Sequence, residues 1–217
     1  MTSKASNEGE GLQACFRLPV FWPGPLRRFV ATSLVVWPVL GVYMVINRCQ
    51  MVPPAVVTMP SWVPFWPAFV FPYLGLLFIT WLLPVAIRDT ARFRACLWAM
   101  VCAYLLIIPW WILTPTTLPR PPLLDGSSIW LYRWLTAIDL PNNVMPCAHG
   151  IGPVVAAWFA GRDRPAWRWP LAVTLLLSLP SIALIWQHRP SDIMLGTVAA
   201  AIGIGVGEVL IHRGCTR

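Results

Sequence analysis

The chain has 217 residues, of which 58% are hydrophobic and only 11% charged, with a net charge of +8. A soluble domain carries about 25% charged residues, so this composition excludes an ordinary water-soluble globule and points to a lipid bilayer. The arginines lie at the ends of apolar runs and form no basic stripe, which excludes nucleic acid as the partner that the positive charge serves.

Residues 1–28 hold Lys4, Arg17, Arg27, Arg28 and several prolines, and read as a polar N-terminal segment. They show no short apolar core followed by a small-residue cleavage site, so no removable signal peptide is expected. A spanning helix needs about 20 mostly apolar residues. Phe29–Ile46, Val63–Ile87 and Ala95–Leu113 meet that need, the second despite Pro64, Pro67, Pro72 and Pro84. The connection Thr114–Asn143 follows, and within it Ser127–Ile138 predicts a short amphipathic helix. Ser127 or Ser128 can cap it, and Ile129, Tyr132, Leu135 and Ile138 recur at helical spacing. Val144–Ala160, Pro170–Trp186 and Pro190–Ile211 are the last three apolar segments, ahead of a tail at 213–217. The expectation is an all-α polytopic membrane protein with one six-helix domain over 29–212. The six cysteines (Cys15, Cys49, Cys96, Cys102, Cys147, Cys215) have no metal-ligand spacing and imply no disulfide framework.

Counted over the expected connections, twelve of the 16 basic residues share the side of the N-terminus: Lys4, Arg17, Arg27, Arg28, Arg88, Arg92, Arg94, Arg162, Arg164, Arg168, Arg213 and Arg217. Only Arg48, Arg120, Arg133 and Arg189 fall on the other. Positive charge is retained in the cytoplasm, so both termini are expected inside, in the cytoplasmic (inner) membrane of a bacterium. Trp110, Trp111, Trp130, Trp134 and Trp186 suit the outer headgroup level, and Trp167 and Trp169 the inner one.

The same parity brings Arg120, His149, His188 and Asp192 to the outer face, from four different segment ends. Ionisable side chains near hydrocarbon cost roughly 2.5–3.5 kcal/mol on insertion scales, so they persist where chemistry or a wet cavity needs them. A lone intramembrane histidine is more often a helix–helix hydrogen bond; two at one depth with an aspartate and an arginine favour catalysis. The simpler readings are kept elsewhere. Arg133 faces water, Asp125 and Asp139 are turn residues, and Glu208 with His212 forms an interfacial pair. Gly196, Ala200, Gly203 and Gly207 make a small-residue packing face.

Pro119-Arg120-Pro121, Pro146-Cys147-Ala148-His149 and His188-Arg189-Pro190-Ser191-Asp192 followed by Gly196 resemble, in order and spacing, the three signature motifs of the type 2 phosphatidic acid phosphatase superfamily. The likeness covers roughly residues 95–212. Thr114–Pro121 and Gln187-His188 are similar to its inositol phosphotransferase-like subgroup. The chain departs from the pattern at Leu113, where a lysine is usual, and at Ile182, where an arginine is usual. It also has Cys147 for serine and Ala148 for glycine. The resemblance implies His188 as nucleophile, forming a phosphohistidine, and His149 as general acid. Asp192 would supply the carboxylate that holds His188. Arg120, Arg189 and the amides near Cys147 and Ala148 would bind phosphate. A neutral imidazole with one nitrogen held and the other free is a competent nucleophile near neutral pH.

The expected activity is therefore hydrolysis of a lipid phosphate ester or diphosphate, without metal or other cofactor. The missing cations lean weakly toward transfer of a phospho-headgroup between lipids, the nearest alternative. A metal site built from His149, His188 and Asp192, a transporter and a bis-histidine haem protein are the rivals of other classes.

Overall fold

The computed structural model describes residues 24–50, 52–121 and 130–214. Lys4, Cys15, Arg17, Asp125, Ser127, Ser128, Ile129, Cys215 and Arg217 lie outside them. The protein is mostly helical, in keeping with an all-α membrane protein. Helix α1 (Pro25–Arg48) begins four residues earlier than expected, because Pro25 is pre-set for the first helical position. Arg27 and Arg28 are thus helical. A 3₁₀ turn at Pro67–Phe69 leads into α2 (Val70–Val85). Helix α3 (Thr90–Leu113) also starts early. Asp89 caps it, accepting from the Arg92 amide at 2.7 Å. Helix α4 (Trp130–Ile138) is the amphipathic helix, with Tyr132 and Leu135 buried and Trp130 and Trp134 exposed.

Helix α5 (Ile151–Asp163) departs most from expectation. Residues 144–150 are turns, with a cis bond before Pro146, so helix forms over only the second half of the expected fourth segment. Its 13 residues run about 20 Å, short of the roughly 30 Å of hydrocarbon. Helix α6 (Arg168–Ser178), preceded by a 3₁₀ turn at Pro165–Trp167, continues after a break at Pro180 as α7 (Pro180–Leu184). Helix α8 (Pro190–His212) closes the chain. Five stretches are long and apolar enough to cross a bilayer: Pro25–Arg48, Pro67–Val85, Thr90–Leu113, Pro165–Leu184 and Pro190–His212. The expected fourth span is not among them. The two short strands β1 (Ala55–Val56) and β2 (Thr116–Thr117) pair in parallel between connections.

Burial separates an inside from a lipid-like outside. Helix α5 is central, with Ile151, Val155, Ala156 and Phe159 fully buried, whereas α6 has no buried residue. Helix α8 packs on α3 through its small residues, as expected. A Cβ on Gly203 would strike the Ala99 carbonyl, and one on Gly207 would meet Phe159 and the Ala95 carbonyl. Close approach of backbones is how apolar helices associate without a hydrophobic drive.

The two ends of the bundle differ in chemistry. At one end, Arg28 donates to the Arg88 carbonyl and Arg164 to the Ala86 carbonyl. There Asp163 accepts from the Arg88 and Asp89 amides. The positively charged connections thus meet. Glu208, near this end, accepts from Trp158 at 2.7 Å and faces Arg162 at 3.4 Å; it does not pair with His212. The candidate site occupies the other end.

Candidate active site

Three connections build the site. The stretch after α3 is stapled by β1–β2 and by Leu118 N–H and Thr117 Oγ1, both donating to the Pro141 carbonyl. That fixes Arg120. The turns at 144–150 carry Cys147 and His149, and are tied to α3 by Trp111 Nε1, which donates to the Pro146 carbonyl at 3.0 Å. Trp111 is therefore a core residue, 1% exposed, and not a headgroup anchor. Trp110 beside it is half exposed and fits the anchoring role. The turn between α7 and α8 carries Gln187 and His188. Trp186, at φ 54°, occupies the left-handed region, an unfavourable conformation for a bulky residue. The amides of Gln187 and His188 then both turn back to the Ile182 carbonyl.

The two histidines meet. His149 Nδ1 lies 2.9 Å from His188 Nε2, and His188 Nδ1 is bonded to the Val144 carbonyl. A carbonyl can only accept, so His188 Nδ1 carries a proton. In the neutral ring, Nε2 then holds the lone pair, and His149 must donate Nδ1–H to it. Burial holds the His188 imidazole well below the usual histidine range, with help from neighbouring His149 and Arg120, against the opposing Val144 bond. His188 is thus a neutral base or nucleophile whose tautomer the main chain has chosen.

Asp192 does not hold His188. Its carboxylate accepts from Arg189 Nε at 3.2 Å, from the other Arg189 nitrogen at 2.9 Å and from the Arg189 amide at 2.9 Å. The physical reason is local: a carboxylate three residues into a helix reaches back to the free first-turn amide and its flanking guanidinium. Val144 takes the place expected of Asp192. The Cys147 amide is likewise not available for an anion, since it donates to the Asp192 carbonyl at 3.0 Å. Ala148 is half-buried beside it.

Arg120 faces the histidines and is heavily engaged. It donates to Gln187 Oε1 at 2.8 Å and to the Thr136 carbonyl at 3.2 Å, and lies 3.8 Å from Asp139. Asp139 is therefore more than a turn residue. It is buried and accepts from Tyr43 at 2.6 Å. Asn47 joins the network, donating to the Leu140 and Asn142 carbonyls, and so ties α1 to the site. Arg133 is exposed, as expected.

Three buried donors near these groups have no hydrogen-bond partner among the described residues: Arg120 Nε, Asn143 Nδ2 and Gln187 Nε2. Native proteins leave few such groups, and each calls for a polar ligand or water. Asn143, fully buried at φ 55° beside Val144, and Gln187 were not singled out from the sequence as site residues. A cavity of about 310 Å³ lies between α1 and α2 beside the site. Val39, Leu40, Leu77 and Trp81 line it together with Ala148 and His149, whereas the three free donors lie outside its lining.

No family model and no curated protein sequence matches this chain.

Proposed function

We propose that the chain is an integral-membrane enzyme that removes the phosphate of a lipid by way of a phosphohistidine on His188, without metal. The observation that carries this reading is the His149–His188 contact at 2.9 Å, with the far nitrogen of His188 anchored on a main-chain carbonyl. In the first step His188 Nε2 attacks phosphorus as the ring of His149 swings aside. The P–N bond forms, the ester P–O bond breaks, and His149, protonated on both ring nitrogens once the anionic substrate is bound, gives one proton to the departing alkoxide and becomes neutral. In the second step His149 takes a proton from water, which attacks phosphorus, breaks the P–N bond and restores His188. Proton delivery to a leaving group is typically worth 10²–10⁴ in rate.

Arg120 Nε, Asn143 Nδ2 and Gln187 Nε2 supply donors for the phosphoryl oxygens, which substitute for the two missing cations. The apolar cavity beside His149 is suited to an acyl or prenyl chain, so the substrate class is a lipid phosphate or polyprenyl diphosphate. The basic end of the bundle lies in the cytoplasm on this reading, and the histidine end faces outward. Belonging to the type 2 phosphatidic acid phosphatase superfamily, with its six spans, is part of the same proposal.

Headgroup transfer is the second reading. Arg120 stands beside Asp139 and Arg189 is bonded to Asp192, so neither guanidinium is fully available to a dianionic monoester. A singly charged diester asks for less. The two share the first step.

The test uses detergent-solubilised protein and a panel of radiolabelled lipid phosphates, tracking free phosphate and new phospholipid together. Alkali-stable, acid-labile label on the protein is expected in wild type and none in His188→Asn. Undiminished turnover by His188→Asn would overturn the reading. Headgroup exchange without phosphate release would place transfer first.

A further inference from the structure

We propose that Cys147, His149 and His188 form a zinc-binding site that competes with phosphate for the pocket. The three side chains offer ligand atoms that all lie within 4.8 Å of one another. The two imidazole nitrogens are 2.9 Å apart, and Cys147 Sγ is 4.0 Å from His149 Nδ1. Tetrahedral zinc, with bonds of about 2.1 Å to nitrogen and 2.3 Å to sulfur, sets these separations at about 3.4 Å and 3.6 Å. Small side-chain rotations therefore close the site around an ion. Three protein ligands leave a fourth position for water.

Features outside the ligand set agree. Metal-bound histidines ordinarily donate their second ring N–H to a carbonyl or carboxylate; the bond from His188 to Val144 does this and aims Nε2 inward. Burial pushes the Cys147 thiol up to about 12, against the Gly150 and His149 amides that donate to its sulfur, so the group stays a thiol until an ion displaces its proton. The nearby guanidiniums do not oppose a dication unaided, because Arg120 is offset by Asp139 and Arg189 by Asp192. On binding, the Cys147 thiol loses its proton to solvent, and the His149 proton moves from Nδ1 to Nε2. One proton leaves per ion.

The ion takes the Nε2 lone pair of His188. Zinc is thus an inhibitor and not a cofactor, a consequence that alone rests on the proposed phosphoryl transfer. The binding claim stands apart from it.

Cobalt(II) is the probe for binding. Added to chelator-stripped, detergent-solubilised protein, it is expected to give intense tetrahedral visible bands and a thiolate-to-cobalt charge-transfer band. One equivalent should saturate them, and zinc should displace them. The charge-transfer band is lost in Cys147→Ser and in His188→Gln, and retained in Cys49→Ser. Weak octahedral bands alone in wild type would overturn the site whether or not any variant folds. So would persistence of the charge-transfer band in Cys147→Ser. In wild type, zinc at about ten times its Kd should raise the KM for a lipid phosphate about tenfold and leave kcat unchanged. Zinc-dependent activation would overturn the inhibitory role and leave the binding intact.

Discussion

Neutrality of His188 is a property of its surroundings, and it has consequences for pH. Its folded-state pKa is lowered, so the unfolded chain takes the proton first as pH falls. The stabilising contribution is complete above about pH 6.5, the unperturbed histidine value, and is lost as pH falls toward the lowered one. Melting of the solubilised protein should therefore move to lower temperature between pH 6.5 and 5, and His188→Gln should flatten that part of the profile. At His149 the expected signature is dependence on the leaving group. His149→Asn should slow hydrolysis of an alkyl phosphate by about 10²–10⁴ and that of an aryl phosphate with an acidic leaving group far less. Gln187→Glu removes a free donor while keeping the oxygen that Arg120 holds; kcat should fall about a hundredfold, with KM little changed. Equal kcat in this variant would remove Gln187 from the phosphate site. The histidines were legible in the sequence because an imidazole among apolar residues is conspicuous. The parts played by Asp139 and Asn143 were not, since a polar residue in a polar loop carries no periodic signal, and Gln187 stood out only as the neighbour of His188. The partner of Asp139 at Tyr43 stands on a different helix, 96 positions away.

Among the helices, α8 offers a comparison between glycines on one scaffold. A Cβ at Gly203 collides with the Ala99 carbonyl, whereas one at Gly205 meets nothing within 4 Å. Gly203→Ala should destabilise by about 1–3 kcal/mol through overpacking, and Gly205→Ala should stabilise by up to about 1 kcal/mol through helix propensity. Thermal denaturation of the two variants side by side decides it; equal effects would mean that α8 and α3 are not held at this distance. The small-residue spacing made this face visible in advance. Helix ends were less visible. Pro25 and Asp89 start α1 and α3 upstream of their apolar runs, and hydropathy alone does not register a helix whose first turn is polar. The converse holds at α5, where apolar composition continued through Val144 and Pro146 although the backbone there serves the site and is not helical.

For the molecule as a whole, the separation of a basic end from a histidine end predicts a labelling pattern. In a cysteine-free background, Arg92→Cys should react with an impermeant thiol reagent only from the cytoplasmic side. Arg133→Cys should react only from the other; the Arg92 side chain is 42% exposed and Arg133 is exposed. Labelling of both from one side would overturn the orientation. The overall class was legible because the scarcity of charge leaves few alternatives to a bilayer. The shape of the fourth segment was not, because α5 combines an interior position with a length that hydropathy cannot measure.

The 144–150 turns take a bond from the His188 ring at the Val144 carbonyl and give one from the Cys147 amide to the Asp192 carbonyl, while Gly196 leaves room for the Cys147 carbonyl. This amounts to a splice between two distant parts of the chain, to which the 144–150 side contributes only peptide groups. The spacing of the imidazoles is then set without calling on the side chain at 148. The glycine at 196 is where any larger residue would force that junction apart, because its Cβ would strike the Cys147 carbonyl.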